Sequence, residues 1–406
     1  MFYGWRIVSG VFIAQLFIIG FMTYSFGLFM VPLQEEFGAS RAQVNLGMTA
    51  VTVAGLILSP VIGSLVDRMS IRVLMTAGAI IFAAGLYGMS LSQSIWHFVV
   101  IFGISVSFGS LLLGPLTGST TVSRWFSKKR GQALGIAAVG TSVGGLLLPV
   151  VIGDWIAEAG WRNALLYLSY VVMLFVLPLM ILVIRSHPSE LGMYPDGAET
   201  NDSNESAVPA IDLKAILRHP AYWTIGLSIG LIFSVYSALM ANLVPYAEDT
   251  GITLEAASLL MGVIAGFGLA GKIIFGMAAD KISLRLGLWI AIVLILVGLG
   301  ILLLEPSYAL TVVACAVIGL ASGGMLPVWG AMLAVVFGVA SYGKVMGLMN
   351  PLITLLVMPS FVITGYIHDL TGSYSNAFWL YCGLLVVSAL ILFRLKMPAS
   401  SAAASN

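Results

Sequence analysis

Lys272 carries the clearest chemical possibility in this sequence. It stands in the stretch EAASLLMGVIAGFGLAGKIIFGMAAD, seventeen residues after Glu255 and eight before Asp280. At ~1.5 Å of rise per helical residue its Cα lies ~12 Å from the nearer polar end of that run, too deep for comfortable snorkelling to the headgroups. A cation at such depth costs roughly 3 kcal/mol or more unless it faces water or a counter-charge. No other charged residue lies in a predicted crossing away from the crossing's ends. An anionic ligand is therefore a natural counter-charge, and Lys272 is a candidate substrate-binding residue; the alternative is an ammonium solvated by carbonyls and water near a packed bundle end. The small neighbours Gly266, Gly268, Ala270 and Gly271 leave room for another helix or a ligand. An amine can also release its proton where a guanidinium stays charged. Lys272 is thus also a candidate proton carrier, with carboxylate and proton each favouring the other by linkage.

The elements that must hold this lysine follow from composition. The chain has 406 residues, 60% of them hydrophobic and 9% charged, with a mean hydropathy of +1.05. An ordinary soluble domain carries roughly 25% charged residues, so a polytopic membrane protein is indicated and a cytosolic enzyme excluded. The net charge of +1 hides no basic patch for nucleic acid. Cys315 and Cys382 sit in apolar runs without metal-ligand spacing, and no cofactor or metal site is expected. An intramembrane enzyme would need paired acids, His/Asp or Ser/Lys within the bilayer, and none is visible.

A hydrocarbon core about 30 Å thick takes ~20 apolar residues per helical crossing. Twelve crossings are predicted, at about 7–30, 43–66, 73–94, 96–122, 131–154, 163–184, 221–246, 256–279, 286–304, 308–336, 344–367 and 376–394. The first is too long for a secretory signal and is expected to be retained. Residues 185–220, with Asp196-Gly197, Asn201 to Asn204 and Pro209, form a polar linker between the halves, and 397–406 a flexible tail.

The halves repeat. Asp67 and Asp280, Pro32 and Pro245, and Asn163 and Asn376 are each 213 residues apart; Pro115 and Pro327, and Gly131 and Gly343, are 212 apart. Six crossings per half make the repeats parallel, which is a transporter architecture. All but three of the eighteen Lys and Arg residues fall at one end of the predicted crossings, the exceptions being Arg41, Arg162 and Lys272. The positive-inside rule then makes both termini cytoplasmic.

GSLVDR, ending at Arg68, and GMAADK, ending at Lys281, occupy the tight loops after the second and eighth crossings. Here the chain resembles the major facilitator superfamily, in which such a motif, a Gly followed by Asp-Arg and a later Arg, is a conformational latch. The first copy keeps Gly63, Asp67, Arg68 and Arg72; the second has Asp280, Lys281 and Arg285, with Lys in place of the first Arg. Plain loop charges obeying the positive-inside rule are the simpler alternative.

RWFSKKRGQALG, from Arg124 to Gly135, is similar to the basic motif of the monocarboxylate transporters and the related oxalate:formate antiporters. Arg124, Lys128, Lys129 and Arg130 carry that similarity, and headgroup anchoring is their alternative role. Tyr3-Gly4-Trp5 is a partial echo of the other signature of the monocarboxylate transporters, lacking its acidic residue. Those families resemble this chain in placing a cation eight residues before the loop motif of the eighth helix, yet theirs is Arg. The acidic residue that monocarboxylate transporters carry four residues earlier is Gly268 here, their first-helix lysine aligns with Leu28, and the second cation of the oxalate exchanger, in the eleventh helix, is missing. One cation suits one carboxylate. The resemblance further implies a cavity lined by the first, fourth, seventh and tenth helices, which nominates Tyr24, Thr117, Tyr236 and Trp329; phenolic hydroxyls donate well to carboxylates. Asn350, beside Pro351, is a further candidate where an unwound turn exposes backbone groups. His97 and His368 fall near the external ends and are expected to be interfacial.

The sequence thus predicts an all-α membrane protein of twelve transmembrane helices in two parallel six-helix repeats, the major facilitator fold, with bundles at 1–184 and 221–396. The expected activity is proton-coupled secondary transport of a small monocarboxylate such as lactate or pyruvate by alternating access, not enzymatic catalysis. The expected partners are a small organic anion, a proton and the lipid bilayer, with a monomeric functional unit. Compact loops point to a bacterial inner membrane. The rival readings are an oxalate:formate-type anion exchanger, efflux of an amphipathic compound, and a receptor that binds ligand without transporting it.

Overall fold

The computed structural model describes residues 2–127, 129–197, 213–278, 283–338 and 341–395. Among them twelve helices are long and apolar enough to cross a membrane. They are α1 (Gly4–Phe37), α2 (Arg41–Val66), α3 (Ile71–Ser90), α4 (Ile95–Trp125), α5 (Arg130–Ala159), α6 (Trp161–Val183), α7 (Pro220–Asp249), α8 (Leu254–Phe275), α9 (Leu284–Leu302), α10 (Tyr308–Phe337), α11 (Lys344–Thr371) and α12 (Ser375–Phe393). Each predicted crossing has its helix, and several run past their predicted ends. α1 and α7 extend to Phe37 and Asp249, so helix continues beyond the apolar run and carries acidic side chains at its end.

Local chemistry sets the boundaries. α1 stops at Gly38, whose φ of 61° is in the left-handed region that favours glycine. α2 starts on a capping box: Ser40 Oγ accepts from the Gln43 amide at 3.2 Å, and Gln43 Oε1 from the Ser40 amide at 2.9 Å. α1 itself is not uniform. Gly20–Ser25 winds as a π-helical turn followed by a 3-10 turn over Phe26–Phe29, and Ser25 Oγ donates to the Gly20 carbonyl at 2.8 Å. Such turns need a side-chain or neighbouring partner because lipid supplies none.

The chain forms two compact units. One takes the described residues of Met1–Ser203 with Leu239–Gly266 and Phe361–Ser373; the other takes those of Asn204–Ala238, Phe267–Ser360 and Tyr374–Asn406. The first unit has an aromatic core in which Phe26 stacks on Phe102 at 5.2 Å and Phe21 meets Phe82 edge-on at 5.9 Å. α1 and α5 touch backbone to backbone, and a Cβ at Gly144 would collide with the Leu16 carbonyl oxygen. The same unit joins helices of both repeats at the end bearing Asp249. Gly27 of α1 lies against the Ala241 carbonyl of α7, Gly365 of α11 against the Ala42 amide, and Gly153 of α5 against Ser258 of α8. Here Asn45 Nδ2 donates to Asn242 Oδ1 at 2.9 Å between two fully buried side chains.

In the second unit, the Ser228 and Ser388 hydroxyls meet at 2.7 Å between α7 and α12, and Tyr222 Oη donates to the Leu348 carbonyl at 2.8 Å. α8 and α10 are as close as α1 and α5. A Cβ at Gly271 would strike the Leu320 carbonyl, and one at Gly323 the Gly268 carbonyl.

Two outcomes follow from these contacts. Gly144→Ala overpacks the α1–α5 seam at a cost of about 1–3 kcal/mol and lowers the thermal midpoint of the detergent-solubilised protein. Gly300→Ala, whose added Cβ meets nothing within 4 Å, leaves it unchanged. Asn242→Leu strands the Asn45 amide at a cost of about 1–3 kcal/mol; the double variant Asn45→Leu/Asn242→Leu recovers much of that loss in the same melting assay.

Candidate functional site

Lys272 stands on α8, in a helix that runs on past Phe275 to Ala278, and is half-buried. The glycines around it are occupied by a helix: α10 takes up Gly268 and Gly271 through backbone contact with Gly319, Leu320 and Gly323. One turn on, the Phe275 ring covers Gly324. The ammonium is thus carried on a helix face whose neighbour cannot shift without breaking that contact.

The other cavity candidates divide between the units. In the second, Trp329 is 3% exposed; its indole N–H points at Met349 Sδ at 3.4 Å, and its ring meets Phe233 edge-on at 6.0 Å. Tyr236 is half-buried on α7, and Asn350 is exposed on α11 beside Pro351. In the first, Tyr24 sits in the π-helical turn of α1 with its ring edge against Gly145 of α5, which also faces Ala265 of α8. Thr117 is fully buried, and its Oγ1 donates to the Leu111 carbonyl at 3.2 Å across the break in α4 at Gly114 and Pro115. That hydroxyl therefore satisfies a carbonyl near the interruption.

The motif residues gather at the cation-rich end. Arg124 Nη2 donates to the Val66 carbonyl at 2.9 Å, capping the last turn of α2 next to the first loop motif. Its Nη1 lies 3.3 Å from His187 Nε2. Trp125 is fully buried, and its indole donates to the Arg185 carbonyl at 3.0 Å. Tyr3 and Trp5, the echo at the amino terminus, pack on this same pair: Tyr3 on Trp125 at 5.6 Å and Trp5 on Phe126 at 5.0 Å. Two sequence signatures about 120 residues apart are thus one aromatic cluster. Asp196 ties the start of the connecting segment to it, accepting from the Ser127 amide at 2.9 Å and the Lys129 amide at 3.2 Å. Arg130 Nε donates to the Phe126 carbonyl at 3.2 Å.

Of the latch candidates, Arg68 is exposed at the end of the α2 helix, which runs on through that residue. Arg72 lines a groove of about 750 Å³ with Thr76, Ile181 and Glu190. Arg285 caps α12, with Nη2 donating to the Phe393 carbonyl at 2.9 Å. Lys128, Asp280 and Lys281, and the side chain of Asp67, lie outside the described residues.

A second polar cluster, at the opposite end, was not singled out from sequence. Arg41 is 5% exposed and grips Asp249 with both Nη atoms, Nη1 to Oδ2 at 2.7 Å and Nη2 to Oδ1 at 2.5 Å, while its Nε donates to Gln34 Oε1 at 3.2 Å. His368 Nε2 lies 3.1 Å from Asp249 Oδ2. Asp369 accepts the Arg41 and Ala42 amides at 2.9 and 3.0 Å, capping the start of α2. Glu36, nearby in sequence, is taken up by Arg162 at 2.8 Å and the Trp161 indole at 2.6 Å. The available signal was Arg41 itself, a cation at the acidic end. His368, expected near this end, meets Asp249 there; neither residue has meaning until α2, α7 and α11 are brought together.

The comparisons agree with this architecture. The chain is 26% identical over 96% of its length to Monocarboxylate transporter 12 of Rattus norvegicus, covering 84% of that protein. It is 27% identical over 96% of its length to Monocarboxylate transporter 11 of Homo sapiens, covering 82%. The fold superposes on a bacterial homologue of the human lysosomal transporter Spinster, solved in an inward-facing and unoccupied conformation, with a TM-score of 0.75 and 16% identity over 96% of both chains. The model of the Major Facilitator Superfamily matches residues 12–304 and 227–406. Twelve apolar helices, an internal duplication and that match over nearly the whole length lead to one conclusion: the chain is a multi-pass membrane protein that belongs to the Major Facilitator Superfamily of transporters.

Proposed function

We propose that this transporter carries a small monocarboxylate, of the lactate or pyruvate type, together with a proton. The observation that carries the reading is Lys272, a cation half-buried on a membrane-spanning helix, in a chain that is similar along 96% of its length to proteins named monocarboxylate transporters. A carboxylate brought to that ammonium gains a charge-assisted contact in a medium of low dielectric. One ammonium matches one carboxylate, whereas a dicarboxylate leaves a second charge uncompensated. Lys272 is also the proton carrier of this proposal: an amine can cycle between charged and neutral forms, as arginine cannot. Binding of anion and proton as a neutral pair gives the coupling. Tyr24, Thr117, Tyr236, Trp329 and Asn350 are further candidate contacts.

In this reading the bundles 1–184 and 221–396, linked by 185–220, work as a monomer. The cation-rich end and both termini face the cytoplasm under the positive-inside rule, in a bacterial inner membrane. Asp67, Arg68 and Arg72 with Asp280, Lys281 and Arg285 form the latch at that end. Arg124 supports this assignment, since it holds the end of α2 beside the first motif.

The test is uptake of labelled lactate or pyruvate into proteoliposomes with and without an inward proton gradient. The native protein accumulates substrate only with the gradient. Lys272→Ala loses accumulation, and Lys272→Arg retains substrate binding without the proton dependence. Native behaviour in Lys272→Ala removes the lysine from the site, and absence of any saturable monocarboxylate uptake overturns the substrate class.

A further inference from the structure

The Arg41 cluster plays no part in the handling of substrate proposed above, yet it gathers several charged side chains of the first unit. It joins helices from both halves of the chain: α2 from the first repeat, α7 and α11 from the second. Four carboxyl groups meet there. Asp249 is held by the Arg41 guanidinium and His368, and Asp369 by two backbone amides. The remaining two are Glu248, next to Asp249 at the end of α7, and Glu35 on α1. Against them stand Arg41 and, when protonated, His368. Acids are in excess.

Glu248 is the group in this set whose position is hardest to reconcile with a negative charge. Its Oε2 is buried and has no hydrogen-bond partner among the described residues. Arg41, the cation that acts on it, already spends both Nη atoms on Asp249. The carboxylates of Asp249 and Glu35 act on it with the same sign as its own. Glu36 is committed to Arg162 and Trp161, and Glu255 on α8 is exposed. A proton on Glu248 removes one like charge from the cluster and turns an acceptor without a donor into a hydroxyl that can donate.

The surrounding packing is that of a closed face. Gly365 of α11 lies against the Ala42 amide, Gly27 of α1 against the Ala241 carbonyl, and Asn45 is bonded to Asn242. Separating α2 from α7 and α11 would break the Arg41–Asp249 pair, uncap α2 and expose the buried Oε2 of Glu248. We propose that this face closes with a proton on Glu248 and opens as that proton leaves, so that the Arg41 clamp is a pH-sensitive latch. The proposal rests on the conformational cycle of a transporter and not on the substrate proposed above.

The test needs no substrate and no membrane orientation. In the full chain with Cys315 and Cys382 replaced by Ala, spin labels are placed at Ala157→Cys on α5 and Leu370→Cys on α11, both exposed positions, and their separation is measured in detergent from about pH 5 to about pH 9, the span in which carboxyl and imidazole groups titrate. The expected result is a short separation at low pH that gives way to a longer one as pH rises. With one proton bound on closing, the closed-to-open ratio falls roughly tenfold per pH unit once Glu248 ionises in the open form. Glu248→Gln, which keeps the shape of the protonated acid, stays short throughout, and Asp249→Asn shifts to the long separation at every pH. A native separation that ignores pH overturns the proposal, as does a native-like response in Glu248→Gln. The same native-like response accompanied by its loss in His368→Gln assigns the proton to the histidine instead.

Discussion

Hydrocarbon offers a peptide group no hydrogen-bond partner, and each unpaired N–H or C=O left in it costs several kcal/mol. Helices satisfy this constraint along their length, so the places where they fail to do so are informative. α4 breaks at Gly114 and Pro115, and the Thr117 hydroxyl serves the Leu111 carbonyl beside the break. α1 widens into a π-helical turn, and Ser25 serves the Gly20 carbonyl. At the cation-rich end, Arg124, Arg130 and Arg285 each give guanidinium hydrogens to carbonyls at or just past helix ends. Side chains that resemble substrate contacts or loop charges in the sequence are, in these instances, completing the backbone.

The second constraint is contact between helices without a hydrophobic drive, since lipid tails are as apolar as the side chains they would replace. The chain meets it with glycine on facing helices, Gly144 of α5 against Leu16 of α1 and Gly271 of α8 against Leu320 of α10. The α8–α10 seam bears directly on Lys272, because its neighbours Gly268 and Gly271 lie in the seam. Backbone contact at Gly268 and Gly271, just before Lys272, and the Phe275 ring on Gly324, just after it, hold this stretch of α8 against α10.

What could be read from sequence alone follows from the range of each interaction. All twelve crossings were legible because hydropathy is a local sum, and the duplication because it survives as motif spacing. The aromatic cluster of Tyr3, Trp5, Trp125 and Phe126 was half legible: both segments were noticed, but not that they pack on each other. The Arg41 cluster was not legible. Its partners lie 208 residues away at Asp249 and 328 away at Asp369, and a charge near a helix end normally has water as its partner. Of the small residues beside Lys272, Gly268 and Gly271 are places of close approach, but residue type does not say whether a helix or a ligand approaches, and at these two it is a helix.

The polar make-up of the Asp249 end is itself an argument about reversibility. Sealing a face with apolar side chains stores about 25 cal/mol for every Å² removed from water, so a wide apolar seal resists reopening in proportion to its area. Hydrogen bonds and ion pairs behave differently, because on opening each partner exchanges its protein contact for water and the net change is about 0.5–1.5 kcal/mol for a neutral bond. A bidentate Arg41–Asp249 pair, an amide pair at Asn45 and Asn242 and an Asp369 cap on α2 give directional closure. Glycine contacts at Gly27, Gly153 and Gly365 bring the backbones together while burying little side-chain area. A transporter that must open and close one face many times is better served when such contacts share the closure than by a seal of leucines alone, and at this end they stand beside fully buried apolar side chains such as Leu28, Leu33, Leu243 and Val244.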